Sequence, residues 1–167
     1  GIFKDQGDYK EALYYFQECL KINNDLGSLE GISDSYNNIG QNLALQGEYK
    51  TALSYFQKSL KVSEEIGDKL DIASSFYHIG LNFKEQGYYL KALPHLKNAV
   101  DLTQKIGALD KLDDYSKALY GIYKQLGNYD QALLMHELLM STKDTLNKLN
   151  AKEDGFRMEA NRKYEKK

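Results

Sequence analysis

Residues 35–67, SYNNIGQNLALQGEYKTALSYFQKSLKVSEEIG, decide the fold, because residues 75–107, SFYHIGLNFKEQGYYLKALPHLKNAVDLTQKIG, repeat their punctuation 40 positions later. Gly47 and Tyr49 answer Gly87 and Tyr89, and the same register reaches outward to Gly7 and Tyr9 and to Gly127 and Tyr129. Ala12, Ala52, Ala92 and Ala132 follow each tyrosine, then Leu13, Leu53, Leu93 and Leu133. A second register holds Gly27, Gly67 and Gly107, preceded by Leu26, Ile66 and Ile106, and a third holds Gly40 and Gly80. Identities at one fixed spacing are the mark of stacked repeats rather than of one closed domain. Four copies, the first incomplete, fill the chain to residue 146 as 1–27, 28–67, 68–107 and 108–146. Residues 147–167 remain as a charged helix or tail.

Each period holds two helical patterns. Tyr49, Ala52, Leu53, Phe56 and Leu60 follow the three-and-four spacing of an amphipathic helix, and Tyr36, Ile39 and Leu43 form a second stripe before it. The glycine ahead of each tyrosine suits a left-handed helix C-terminus, and Asp8 with Glu11 and Asn128 with Gln131 match capping boxes for the helix that follows. Gly27, Gly67 and Gly107 close the second helix, after which Asp68 is a good N-cap. The unit is helix, tight turn, helix, longer turn. Because one such pair cannot cover its own apolar face, each unit is stabilised chiefly by the next. The expected fold is all-α: a right-handed superhelical solenoid of about 3.5 repeats, lined on its inner surface by the first helix of each pair. Pro94 lies inside a second helix and removes the amide hydrogen owed to Leu90, which predicts a bend or an open hydrogen bond. The first copy lacks most of its first helix, so Tyr9, Leu13, Phe16 and Leu20 are expected to lie partly uncovered and to invite self-association.

Composition narrows the function. Among 167 residues, 42% are hydrophobic, 28% are charged and one is proline, which fits long helices around a core. Twenty-two basic residues stand against 24 acidic ones, and a net charge of −2 gives no electrostatic argument for nucleic acid. No apolar run is long enough for a membrane span. The opening Gly1-Ile2-Phe3-Lys4 has neither an initiator methionine nor a signal-peptide pattern, so the sequence reads as an excised piece. Catalytic and metal constellations are absent: His78, His95 and His136 lack the one-turn spacing of a helical metal pair. His136 stands in the slot of Phe16 and Phe56 and is expected to pack. Cys19, the single cysteine, takes the small-residue slot of Ser59 and Ala99 and is expected to be a buried thiol. No cofactor is implied.

The second copy, as Tyr36, Ile39-Gly40, Leu43, Gly47, Tyr49, Ala52, Phe56 and Ser59, resembles the tetratricopeptide repeat family. The third follows as Phe76, Ile79-Gly80, Phe83, Gly87, Tyr89, Ala92, Leu96 and Ala99, and the fourth departs with Tyr120 and His136. The resemblance implies a non-catalytic scaffold that binds a protein or peptide in its concave groove. It places Asn37, Asn38 and Gln41, then Tyr77, His78 and Lys84, then Lys117 and Lys124 on that lining. Asn and Gln there are suited to a peptide backbone, Tyr77 to a side chain and the lysines to carboxylates. Chaperone-binding members use a clamp of Lys, Asn, Asn, Lys and Arg; Asn37, Gln41, His78, Asp114 and Ala118 at the matching places disfavour that ligand.

Asn37-Asn38-Ile39-Gly40, Gln46-Gly47-Glu48-Tyr49 and Glu64-Glu65-Ile66-Gly67-Asp68-Lys69 also resemble the sensor regions of Bacteroidetes-type histidine kinases and related transcriptional regulators. Lys143-Asp144-Thr145-Leu146 and Tyr164-Glu165-Lys166-Lys167 fit the exit segment of that group. This second resemblance implies the sensing or regulatory part of a two-component sensor or regulator, periplasmic in a membrane-bound kinase and cytoplasmic otherwise. The tail then begins a signalling helix; without the resemblance it reads as a solvated helix capping the solenoid, and the chain as a free-standing adaptor for complex assembly.

Overall fold

The computed structural model describes the backbone of residues 2–165 and the side chains of residues 8–158. Seven helices occupy the described residues: α1 (Ile2–Leu26), α2 (Leu29–Leu45), α3 (Tyr49–Ile66), α4 (Lys69–Glu85), α5 (Tyr89–Ile106), α6 (Leu109–Gln125) and α7 (Tyr129–Glu165). Each helix packs against its neighbours in sequence, which is the antiparallel zigzag of a helical-hairpin solenoid. In addition α2 touches α4 and α4 touches α6, whereas among the described residues no two odd-numbered helices touch. The even helices therefore line the inner, shorter-radius side of the stack.

The turns follow the glycine registers. Gly47, Gly87 and Gly127 have φ of 81°, 77° and 70°, and Gly27, Gly67 and Gly107 have φ of 66°, 80° and 78°. Nothing lies within 4 Å of a Cβ built on any of these six, so the left-handed backbone alone selects glycine there. Gly40 and Gly80 are chosen for the opposite reason. A Cβ on Gly40 would stand 2.6 Å from Phe56 Cε1, and one on Gly80 would stand 2.6 Å from Leu96 Cγ. These two glycines let a first helix lie close against its own second helix.

Caps set the helix starts. Asp68 Oδ1 accepts from the amides of Leu70 at 2.8 Å and Asp71 at 3.1 Å, and Asn128 Oδ1 accepts from Gln131 N at 3.3 Å. The pairing of Asp8 with Glu11 does not start a helix: α1 runs unbroken from Ile2 through Gly7 and Asp8. The side chains of Tyr164 and Glu165, and Lys166 and Lys167 altogether, lie outside the described residues. α5 continues through Pro94, which has no amide hydrogen to donate to the Leu90 carbonyl, and Leu90 stands exposed in the first turn.

Ala92, Leu96, Ala99 and Val100 of α5 pack with Leu112, Tyr115, Leu119 and Ile122 of α6 to form the larger core. A smaller cluster joins Ala52 and Phe56 to Ile79. Between α2, α3 and α4 the seam is polar. Ser33 Oγ lies 2.9 Å from Ser59 Oγ and 2.7 Å from Ser63 Oγ, and Ser59 Oγ lies 3.2 Å from Ser75 Oγ. Hydroxyls that satisfy one another allow close helix approach without a buried unpaired group.

Where a helix lacks its neighbour, expected core residues surface. Tyr9, Leu13, Phe16 and Leu20 of α1 are half-buried, in agreement with the loss of the first copy's first helix. Cys19 is exposed rather than buried for the same reason. His136 is likewise exposed, because no eighth helix among the described residues covers α7.

Candidate functional site

On α2 and α4, residues three and four apart share one face, and that face looks into the space between successive even helices. There α2, α3 and α4 enclose a cleft of about 600 Å³. Gln41, Ala44 and Leu45 form one wall, Tyr49 and Phe56 come from α3, and Tyr77, His78, Leu81, Asn82 and Glu85 form the wall opposite. The His78 ring stacks on Phe56 with centroids 5.4 Å apart and meets the edge of Tyr77 at 5.5 Å. Burial, aided by the charge of Lys111, lowers the His78 pKa to about 4, so the imidazole is neutral at pH 7 and offers no cation to the cleft. Asn82 is a fixture of the wall. Its Nδ2 donates to the Tyr49 carbonyl at 3.2 Å, and its Oδ1 accepts from Gln86 Nε2 at 2.9 Å.

Tyr77 extends the site toward α6, stacking on Tyr115 at 4.2 Å. Burial raises the pKa of both phenols, and Asp114 adds to the effect, so both stay protonated donors. Asp71, near the start of α4, has its pKa raised by burial and then by Asp68, Asp34 and Glu30. The N-terminal ends of α2 and α4 are therefore negative, while the cleft itself is mainly apolar.

The same cleft recurs along the stack. One period earlier, Tyr9, Ala12 and Phe16 of α1 face Asn38, Gln41, Asn42 and Leu45 of α2 across about 370 Å³. At the other end Tyr120, Lys124, Tyr129, Ala132, Leu133 and His136 line about 260 Å³. The structure thus brings Gln41, Tyr77 and His78 into the central cleft and puts Asn38 on the first one. Asn37 is not part of an open lining: it is 8% exposed, and its Oδ1 has no partner. Lys84 pairs with Glu85 at 3.3 Å, and Lys117 is held by Asp113 and, at 3.8 Å, by Asp114. Lys124 lies over the Tyr120 ring at 5.4 Å, in the terminal cleft. The three lysines are therefore dispersed, two of them beside carboxylates of their own helix. Sequence reasoning did not place Leu45, Glu85, Tyr49 and Phe56 in the site. Leu45 and Glu85 were accessible to it, standing one helical turn beyond Gln41 and Leu81 on the same face.

Among the described residues no three His, Cys, Asp or Glu side chains converge as a metal site, and no helix is long and apolar enough to cross a membrane.

A family model for the tetratricopeptide repeat matches residues 1–65 and 31–105. No curated protein matches the sequence. Among solved structures, the apo form of RapI is similar at 25% identity with a TM-score of 0.77, over 88% of this chain and 53% of that one. A Rap protein complexed with competence and sporulation factor is similar at 18% identity and a TM-score of 0.76, over 80% of this chain and 38% of that one. Aspartyl phosphate phosphatase F from Bacillus subtilis is similar at 20% identity and a TM-score of 0.78, over 86% of this chain and 39% of that one. The chain spans about half the length of RapI and less of the other two. Repeat register, left-handed glycines, stacked hairpins and the match over residues 1–105 agree, and the chain belongs to the tetratricopeptide repeat family of protein–protein interaction scaffolds.

Proposed function

We propose that this chain holds a peptide or an extended protein segment across its concave face, with the cleft between α2, α3 and α4 as the principal anchor. The cleft itself carries this reading: about 600 Å³ walled by Leu45, Phe56, Tyr49, Tyr77 and Leu81, with Gln41 and a neutral His78 as its polar groups. Such a cavity accepts a bulky apolar side chain, and burial of one contributes about 1.5–3 kcal/mol. Glu85 and the absence of a cation among its lining residues make a carboxylate a poor occupant. The Rap protein of similar fold is complexed with a factor, which supports a ligand-holding role for the architecture.

The chain serves, in this reading, as the sensing or regulatory segment of a larger bacterial signalling protein. The support is α7, in which the last repeat passes without interruption through Lys143-Asp144-Thr145-Leu146 into a charged helix reaching Glu165. A ligand that shifts the repeats would bias that helix. The test is selection of random displayed peptides on the immobilised chain. Enriched peptides are expected to carry an apolar anchor and to lose at least tenfold in affinity on Leu81→Arg, while Leu134→Arg on α7 leaves binding unchanged. Peptides indifferent to Leu81→Arg, or dependent instead on Lys84, Lys117 and Lys124 together, would overturn the cleft as anchor.

A further inference from the structure

Two clefts of the concave face share one wall. Gln41 and Leu45 of α2 line both the central cleft of about 600 Å³ and the first cleft of about 370 Å³. Their floors are equivalent as well: Tyr9 and Phe16 of α1 stand one 40-residue period before Tyr49 and Phe56 of α3. The pair is confined to these two periods. In the third the phenylalanine slot holds Leu96, which is fully buried, and in the fourth it holds His136. Two aromatic-floored seats therefore stand side by side, with Gln41 and Leu45 as the ridge between them.

The spacing of the seats selects a backbone. They repeat with the even helices, and α2 touches α4, so their centres are about 8–10 Å apart. In a polyproline II chain, side chains three residues apart share a face and are separated by about 9 Å. A β-strand returns to the same face only at about 7 Å or about 13 Å, two or four residues on. An α-helix offers about 10 Å between residues seven apart, but its backbone groups are satisfied internally. The ridge suits a chain whose backbone groups are free. Gln41 is exposed there, as is Asn38 beside the first cleft, and each presents an amide donor and acceptor. Their neighbour Asn42 is already engaged, its Oδ1 accepting from Gln46 Nε2 at 2.7 Å. A polyproline II backbone laid across the ridge brings unpaired carbonyls and amides to Gln41 and Asn38, and a helix brings none.

Charge adds the last element. No Lys or Arg lines either cleft, whereas Asp8 lines the first and Glu85 the central one. Glu30, Asp34, Asp68 and Asp71 gather at the N-terminal ends of α2 and α4, close enough that the other three act on the carboxyl of Asp71. Asp34 stands seven residues before Gln41 on the same face of α2, about 10 Å along the axis. A long basic side chain leaving the ridge reaches toward it.

We infer that the ligand is a peptide in polyproline II conformation with two apolar side chains three residues apart, one in each cleft. Its backbone lies on Gln41, and a Lys or Arg flanks the anchors. This rests on the reading of the central cleft as an anchor and adds to it the second seat, the register and the charge.

Fluorescein-labelled peptides with two leucines in a proline and lysine frame test it, by anisotropy against the full chain. Lys-Pro-Leu-Pro-Pro-Leu-Pro-Lys is expected to bind at least tenfold more tightly than versions with one or three prolines between the leucines. Ala12→Arg, which fills the first cleft, and Leu81→Arg, which fills the central one, should each cost this peptide tenfold or more. A version with one leucine replaced by alanine should lose affinity only with Leu81→Arg. Glutamates in place of both lysines should weaken binding at least tenfold. Far-UV circular dichroism confirms that each variant is folded. Affinity independent of spacing and of Ala12→Arg, yet still damaged by Leu81→Arg, would overturn the two-seat register and leave the single anchor standing. Binding indifferent to both substitutions would remove the anchor as well. Tighter binding by an alanine-rich helical peptide with leucines seven apart would refute the polyproline II backbone, and equal binding of the glutamate version would refute the charge. No binding by any member of the series would overturn the inference outright, while displayed peptides that depend on Leu81 would still uphold the central cleft.

Discussion

Gly80 and Gly121 sit in the interiors of α4 and α6, and the same substitution to alanine should move stability in opposite directions. At Gly80 a Cβ would stand 2.6 Å from Leu96 Cγ, 2.8 Å from its Cδ2 and 3.3 Å from its backbone nitrogen, and Leu96 is fully buried. Overpacking of this kind costs about 1–3 kcal/mol, while alanine regains about 1 kcal/mol of helix propensity. Because α5 backbone is among the near atoms, side-chain rotation alone does not relieve the whole contact, and the expected net loss is up to about 2 kcal/mol. At Gly121 nothing lies within 4 Å of the same Cβ, so the propensity gain stands alone and the expected change is a stabilisation of up to about 1 kcal/mol. Urea denaturation followed by circular dichroism reads both, with midpoints moving oppositely at constant slope. For a chain of this size 1 kcal/mol corresponds to roughly 2–4 °C in Tm. If both variants were stabilised, the close contact of α4 with α5 through Gly80 would be refuted. If both were destabilised, the open space at Gly121 would be.

His78 takes up its proton near pH 6.5 when unfolded and near 4 when folded, so its contribution to stability is complete above pH 6.5 and is lost as pH falls toward 4. A shift of ~2.5 pH units corresponds to about 3 kcal/mol, and His78→Gln should flatten a plot of urea midpoint against pH over that window. Asp68→Ala removes the acceptor for the amides of Leu70 and Asp71 and should cost about 1 kcal/mol in the same denaturation assay. Pro94→Ala restores a donor to the Leu90 carbonyl and should raise the Tm, by an amount corresponding to about 1–3 kcal/mol. An unchanged Tm would show that the first turn of α5 is held by its packing on α4 rather than by its hydrogen bonds.

Much of this architecture could be read from spacing. A left-handed glycine and a close-packing glycine both recur at 40 residues, and the two kinds fall where turns and helix contacts must fall, so helix number, order and the inner face follow from residues such as Gly47, Gly67 and Gly40. These are local or nearest-neighbour demands, satisfied within one hairpin or between two. The site was legible only in part. Gln41, Tyr77 and His78 follow from helical facing, but Phe56 and Tyr49 look like core in any one repeat and become a cleft wall only where α2, α3 and α4 come together. Asn37 shares their sequence pattern and is nevertheless buried. Lys84 and Lys117 stand beside Glu85, Asp113 and Asp114 of their own helices, pairings that the adjacent and three-and-four spacing already carries.

The ends of the stack show the division most clearly. Composition and register alone determined that Cys19 and His136 stand in packing slots, because the repeat assigns each position a neighbour. Whether that neighbour is present is a tertiary fact: α1 has no first helix before it among the described residues, α7 none docked after it, and both side chains are exposed. A periodic sequence fixes what each unit asks of the next, since burial in a solenoid is pairwise; only the assembled structure decides where that demand is met, and where an apolar face is left open to something else.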